Sequence, residues 1–129
     1  MNNVSLIGRA SSDLLKFMTP AGRPLVKFAL AFDSRMKAED GSKITSFIEI
    51  EAWDILAERV YENVIKGDRV GITGHLVQHK FTRKDGTQGS TIKVIMSSVE
   101  FLERKRKTEE DKKIEASLEK VDEEDLPSF

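Results

Sequence analysis

The sequence predicts an all-β domain of five strands with a single helix between the third and fourth strands. Residues 25–33 and 45–53 alternate apolar and polar side chains with the period of two that is typical of half-buried strands. The apolar spacing changes once, after Trp53, to that of a helix, and the strand period then returns. Among all-β architectures, a five-stranded Greek-key barrel of the OB type combines this strand count with a helix in this position. An open meander with a packed helix is the alternative.

Three predicted strands precede the helix. An apolar run over residues 4–9, with a kink at its glycine, predicts the opening strand, and a weak segment follows at residues 14–18. Pro20, Gly22 and Pro24 mark a turn. The second strand then places four apolar side chains on one side: Val26, Phe28, Leu30 and Phe32.

A charged loop joins the second and third strands. Residues 35–43, with Asp40-Gly41 at the tip, predict a long hairpin. This hairpin carries three basic residues, Arg35, Lys37 and Lys43. We expect them to line the rim of the surface over which the hairpin extends.

The helix has recognisable ends. Asp54 is its predicted N-cap, and Lys66-Gly67 is its predicted C-terminal boundary. Five residues at helical spacing form its apolar face: Leu56, Ala57, Val60, Tyr61 and Val64.

The last two strands follow the helix and form a second hairpin. Gly71 and Gly74 permit the bend that a strand needs in a small barrel. A turn at residues 84–86 leads into the final strand from Ser90, and Phe101 ends the packed region. We expect three side chains of this strand to point inward: Ile92, Val94 and Met96.

Composition limits the possible classes of protein. The 129 residues suffice for one ordinary domain with appendages. The absence of cysteine excludes disulfides and thiolate metal sites and fits a reducing interior. No export signal and no apolar stretch long enough to cross a bilayer are seen, so we expect no membrane partner and a cytoplasmic location.

Charge divides the chain into two parts. Residues 1–102 contain 14 Lys and Arg against 12 Asp and Glu, whereas residues 103–129 contain 7 against 10. We therefore expect an ordered domain over residues 1–103 and a charged, disordered linker over residues 104–121. The acidic tip, residues 122–129, is a candidate ligand for a basic, apolar pocket on another protein. Its candidate binding residues are Asp122, Glu123, Glu124, Asp125, Leu126, Pro127 and Phe129.

The third strand carries the most informative surface. Its alternation places Phe47, Glu49, Glu51 and Trp53 on the face opposite the core, which we expect to be solvated and polar. Aromatic rings exposed on a sheet are a stacking platform for flat ligands such as bases. Alternatively, one of the rings covers a neighbouring strand or helix.

A second aromatic group lies on the last hairpin. Phe81 shares strand parity with His75 and His79, next to the basic residues Lys80, Arg83 and Lys84. Aromatic and basic residues interleaved on hairpins favour single-stranded nucleic acid, because bases offer stacking faces and phosphates offer charge. Duplex reading is disfavoured because the helix has no basic recognition face.

Catalytic motifs are missing from the sequence. It has no cysteine nucleophile, no phosphate-binding glycine loop of the required spacing and no His/Glu motif on the helix. Glu49 with Glu51, and His75 with His79, share strand parity, but each pair lacks a third metal ligand. We therefore expect no enzyme, no catalytic residue, no metal and no cofactor.

Several motifs together resemble the bacterial single-stranded DNA-binding protein family. They are NNVSLIGR, TPAGRPLVKFALA, SFIEIEAW, LAERVYENVIKGDRV, the GHL that follows, and the terminal DEEDLPSF. Each motif is weak alone, but their order and spacing are specific. The resemblance covers the chain from Met1 to about Glu103 and returns at the tip.

The resemblance implies sequence-independent coating of single-stranded DNA in replication, repair and recombination by a homotetramer of OB domains. It also implies a bacterial, nucleoid-associated protein whose tip recruits replication and repair enzymes. By matching positions, Phe47, Trp53 and Phe81 are the stacking residues, and Lys80 with nearby basic residues contacts phosphate. His79 joins the candidate interface.

The chain departs from the family pattern at several positions. Met36 stands where many members have an aromatic residue, and three other residues stand where arginine is common: Glu49, Val77 and His79. The linker is short and charged instead of long and rich in Gly, Pro and Gln, and Ser128 separates Pro127 from Phe129. A protein-interaction module with weak or no DNA binding, and a metal-dependent nuclease using Glu49 and Glu51, are the alternative functions.

Overall fold

A computed structural model describes residues 1–103, which form six strands and one helix. In chain order these are β1 (Val4–Ala10), β2 (Leu15–Met18), β3 (Pro24–Lys37), β4 (Lys43–Trp53), α1 (Ile55–Asn63), β5 (Arg69–Thr82) and β6 (Gln88–Glu103). The predicted linker and acidic tip, from residue 104 onward, lie outside the described residues.

Five of the strands close into a barrel, as the sequence predicts. The sheet order is β1-β5-β6-β4-β3-β2, and β1 also pairs with β3, which joins the two sides of the barrel. All neighbouring strands are antiparallel except β4 and β6, which run parallel over Glu49–Glu51 and Lys93–Ile95. The prediction of a five-stranded OB barrel with one helix between its third and fourth strands is confirmed.

The weak segment before the first turn is an additional strand. β2 pairs with the start of β3, and all four of its residues are exposed. β1 pairs with β3 further along, at residues 30–32. The two strands therefore share one edge of β3, with β2 outside the closed barrel. Its exposure explains the weak sequence signal, because alternation arises from burying one face of a strand.

Gly8 allows the barrel to close. It is opposite both Phe32 of β3 and Val70 of β5, at the point where β1 pairs on both sides. A Cβ atom at this position would lie 2.2 Å from the carbonyl oxygen of Ala31. Only glycine allows so close an approach of the two backbones.

The core lies inside the barrel and under the helix. Val26, Phe28 and Leu30 of β3 are buried as predicted, whereas Phe32 is only partly buried near the barrel rim. Ala57 and Val60 are the buried residues of α1, which covers one end of the barrel. Other strands contribute the remaining core side chains, among them Ala10, Ile50, Ala52, Val70, Ile72, Val94, Met96 and Val99.

The predicted start of the helix is confirmed, whereas its predicted end is wrong. The helix ends at Asn63, and Val64 is already extended, so it ends before the predicted Lys66-Gly67. Asp54 occupies the N-cap position, but its side chain makes no capping hydrogen bond. Its carboxylate instead binds Arg23.

Two hairpin arms project from the barrel. We call residues 33–45 the β3–β4 arm and residues 76–92 the β5–β6 arm. Their tips are alike: a glycine with positive φ follows an aspartate that accepts hydrogen bonds from a Ser or Thr two residues later, Ser42 in one and Thr87 in the other. These bonds hold the pKa of both carboxyl groups, Asp40 and Asp85, below the usual range.

The inward placement predicted for the last strand is only partly right. Val94 and Met96 are buried, but Ile92 is 54 % exposed. Ile92 is opposite Gln78 in the β5–β6 arm, which extends past the barrel; among residues 1–103, no third strand pairs with this arm.

Candidate nucleic-acid interface

The outer face of β4 is the centre of the candidate interface. Phe47, Glu49, Glu51 and Trp53 share this face, as strand alternation predicts. The ring of Phe47 is 66 % exposed, whereas Trp53 is only partly exposed. They are six residue steps apart along the strand, a distance of about 20 Å. The two rings are therefore separate stacking positions and not one contact.

The expectation that this face is solvated throughout is wrong at Glu51. Its residue exposure is 1 %, because its carboxylate is surrounded by donors from three strands. Lys93 of β6 donates a hydrogen bond to it, and the Lys27 amine of β3 lies 3.8 Å away. The indole Nε1 of Trp53 donates to the other carboxylate oxygen at 3.1 Å. A buried carboxylate is tolerated here because it is paired and hydrogen-bonded.

Glu49 is the neighbouring acid and is more open. Its side chain is 38 % exposed, and its carboxylate lies 3.8 Å from the same Lys27 amine. Lys27 and Lys93 are thus both beside acids in the middle of the face. Their charge is largely compensated before any ligand arrives.

Trp53 is held from two directions. Its N–H is fixed by Glu51, and the guanidinium carbon of Arg23 lies 4.7 Å from the ring centroid. Arg23 in turn donates two hydrogen bonds to Asp54, from Nε at 3.1 Å and from Nη2 at 2.8 Å. These bonds hold the pKa of the Asp54 carboxyl below its usual range and raise the pKa of Arg23. The pair is therefore ionised at neutral pH and is lost only in acid.

Phe81 belongs to a column of side chains on the β5–β6 arm. The rings of His79 and Phe81 stack with centroids 6.2 Å apart, and the Arg83 guanidinium lies 5.5 Å from the Phe81 centroid. Gly89 is opposite Phe81 on β6, and a Cβ atom there would approach the ring to 2.6 Å. The ring thus rests on bare backbone and remains 39 % exposed.

The sheet register places the two aromatic groups on one surface. Glu49 of β4 is opposite Lys93 of β6, which is opposite Val77 of β5. Phe47 precedes Glu49 by two residues in β4, and His79 follows Val77 by two residues in β5, so both lie on the same face and toward the same end of the sheet. Phe81 is the next residue of β5 on that face. The predicted stacking residues Phe47, Trp53 and Phe81 therefore share the outer face of one curved sheet.

The predicted basic residues lie on the two arms. Arg35, Lys37 and Lys43 are exposed on the β3–β4 arm, and Lys80, Arg83 and Lys84 are exposed on the β5–β6 arm. Lys80 alternates to the side of its strand opposite His79 and Phe81. Lys43 is 3.9 Å from Asp33, but within residues 1–103 the other five make no salt bridge. The β5–β6 arm thus carries more cations than acids, whereas the cations of the β3–β4 arm are matched in number by Asp33, Glu39 and Asp40.

Sequence reasoning missed four residues of this surface. Lys27 and Lys93 reach the aromatic face across strand pairings that are distant in sequence, and Arg23 reaches it from just before β3. Gly89 supports Phe81 from the opposite strand of the same hairpin. The sequence did indicate a lysine on the solvent face of each strand next to β4, Lys27 in β3 and Lys93 in β6. It did not indicate that Glu51 is buried between these two lysines.

Metal and membrane sites are not found in the described part of the chain. Residues 1–103 contain no group of three or more His, Asp or Glu side chains arranged to hold a metal ion. The same residues contain no helix long and apolar enough to span a membrane.

Comparison with known proteins identifies the family. The model of the single-strand binding protein family matches residues 1–102. The chain belongs to the single-strand binding protein family.

Three relatives illustrate the match. Single-stranded DNA-binding protein 3 of Clostridium acetobutylicum is 36% identical over 104 residues, covering 80% of this chain and 72% of that protein. The single-stranded DNA-binding protein of Clostridium tetani is also 36% identical over 104 residues, covering 80% and 71%. The single-stranded DNA-binding protein of Aquifex aeolicus is 30% identical over 138 aligned positions, covering 100% of this chain and 93% of that protein.

Proposed function

We propose that this protein binds single-stranded DNA without sequence preference through the outer face of β4 and the two arms. One observation carries the proposal: three aromatic residues, Phe47, Trp53 and Phe81, lie on one outer face that is bordered by arms with unpaired cations. Bases stack on the rings whatever their identity, and the cations attract phosphate. Family membership and the names of the relatives support the same function.

A gel shift tests this function. Labelled oligo(dT) and a mixed-sequence single strand of equal length should shift at similar protein concentrations, whereas a duplex of that length should need much more protein. Alanine substitution of Phe47 or Phe81 should each weaken binding by about 1 to 3 kcal/mol. Equal affinity for duplex and single strand, or unchanged binding by both variants, would contradict the proposal.

The wider role that we propose is coating of single-stranded DNA in replication, repair and recombination. A homotetramer in the bacterial cytoplasm, associated with the nucleoid, fits this role. The acidic tip, from Asp122 to Phe129, then recruits replication and repair enzymes. Deleting these eight residues should leave DNA binding intact or slightly tighter, because it removes acids that compete with phosphate. It should also abolish capture of those enzymes in a pull-down, and equal capture would reduce the tip to a solubilising tail.

A protein-interaction module is the second candidate, and one observation favours it. Lys27, Lys93 and Arg23 are each already beside an acid, so the centre of the face is less attractive to phosphate than its aromatic residues suggest. No gel shift with oligo(dT) in low salt would favour this function. The nuclease alternative finds less support, because Glu51 is buried and bound to Lys93 instead of facing solvent.

A further inference from the structure

The outermost layer above Trp53 is a guanidinium group. Exposure differs among the three side chains in contact here: the Glu51 side chain is 2 % exposed, Trp53 is partly exposed, and the Arg23 side chain is 54 % exposed. Glu51 accepts a hydrogen bond from the indole N–H, and the guanidinium carbon of Arg23 lies 4.7 Å from the ring centroid. Arg23 is therefore the more exposed partner of this contact and, like the partly exposed indole, is open to a ligand on the outer face.

The plane of the Arg23 guanidinium is fixed. Two hydrogen bonds to the Asp54 carboxylate, at 3.1 and 2.8 Å, orient the guanidinium, and its central carbon lies 4.7 Å from the centroid of the Trp53 ring. Fork-to-fork pairing of this kind specifies geometry as well as charge. The result is a flat, rigid and exposed surface.

Asp54 departs from ordinary helix geometry to make this pair. An aspartate at the N-cap commonly accepts a hydrogen bond from the first turn of its helix. Asp54 makes no such bond, and its φ of 58° is uncommon for a residue other than glycine. The backbone there directs the carboxylate toward Arg23 and away from the helix.

We propose that Arg23 is a base-stacking residue, with one base of the bound single strand lying on its guanidinium plane as a layer above Trp53. Guanidinium planes are established stacking partners for unpaired bases. Because Asp54 already compensates its charge, Arg23 acts through its flat face and not as a phosphate contact. This inference rests on the proposed function and adds a residue to its ligand site.

Two oligonucleotides distinguish a base contact from a phosphate contact. Oligo(dT) offers bases and phosphates, whereas an abasic oligonucleotide of the same length offers phosphates alone. Arg23→Ala should lower affinity for oligo(dT) by about 5- to 150-fold, the scale of one stacked base, and leave the abasic affinity unchanged. Arg23→Lys should lose nearly as much on oligo(dT), because lysine keeps the charge but not the plane.

Arg59 provides the matched control. Its guanidinium also lies over an aromatic ring, 5.5 Å from the centroid of Phe101, but on α1 and away from the outer face of β4. Arg59→Ala and Arg59→Lys should leave binding of both oligonucleotides unchanged. Thermal unfolding of every variant checks the fold, and if Arg23→Ala unfolds, Arg23→Lys alone decides the question.

Each outcome has a defined meaning. Equal losses on both oligonucleotides, with a salt slope about 0.7 smaller and rescue by Arg23→Lys, would make Arg23 a phosphate contact and overturn the inference. Unchanged binding by both Arg23 variants would also overturn it while leaving the proposed function intact. Failure of the parent protein to bind oligo(dT) would overturn both.

Discussion

Glu51 is the residue at which local pattern and tertiary structure disagree most. Alternation correctly places it on the face opposite the core, yet the fold buries it between Lys27, Lys93 and Trp53. The alternation within β4 does not predict the burial of Glu51, because its partner Lys93 belongs to β6, more than 40 residues away in the sequence. By contrast, the exposure of Phe47 and Phe81 was predictable from their positions in the alternating pattern of each strand.

The pairing of Glu51 predicts its effect on stability. Glu51→Ala leaves the Lys93 amine, with a side chain only 16 % exposed, without its partner. Because an unpaired, largely buried charge is costly, we expect the free energy of unfolding in urea to fall by on the order of 3 kcal/mol. The double variant Glu51→Leu/Lys93→Met should recover most of the lost free energy of unfolding. As a control on the same face, Glu49→Ala should cost at most about 1 kcal/mol. A loss for Glu51→Ala as small as the control would contradict the buried pair.

Glu49 predicts an effect on DNA binding instead. Its partly exposed carboxylate repels phosphate and lies beside Lys27. Glu49→Gln should tighten binding to oligo(dT) by removing repulsion, while Lys27 keeps Glu51 as a neighbour. Glu49→Arg should tighten it more and steepen the salt dependence by a slope of about 0.7 for each added phosphate contact. Salt titrations of both variants beside the parent test this, and no gain for Glu49→Arg would mean that this face does not meet DNA.

At the scale of elements, strands with one buried face were predictable and exposed ones were not. β3 and β4 have a strong alternation because the barrel core covers one side of each. β2 is exposed throughout and has no such pattern, and α1 ends a few residues before its glycine. The predicted kink at Gly8 corresponds to the closure of the barrel, which only the tertiary structure reveals.

Gly8 supplies a test of that closure. Gly8→Ala would place a methyl group 2.2 Å from the Ala31 carbonyl oxygen and 3.1 Å from a Leu30 side-chain carbon, so β1 and β3 must separate. We expect a loss of about 1 to 3 kcal/mol in the free energy of unfolding. Gly71→Ala is the matched control in the adjoining strand, because its new methyl group would meet neighbours no closer than 3.7 Å. Equal stability of the two variants would contradict close approach at Gly8.

At the scale of the whole molecule, charge is arranged in three zones. Exposed cations lie on the arms, all but Lys43 without a salt bridge among residues 1–103; compensated pairs lie at the centre of the outer face, and an excess of acids lies beyond residue 102. The division between domain and tail is visible in the sequence because it follows chain order. The division between arms and centre is not, because it depends on which side chains the barrel brings together. Such an arrangement favours binding by stacking at the centre and by charge at the rim.

Fluorescence titration with oligo(dT) tests the central claim most directly, since Trp53 is the one tryptophan in the chain and lies on the outer face of β4. Saturating oligo(dT) should quench its emission, and Phe47→Ala should shift the midpoint to higher concentration by about 1 to 3 kcal/mol of binding free energy without abolishing the quench. Unchanged Trp53 emission under conditions where a gel shift shows saturated binding would place the DNA elsewhere on the protein.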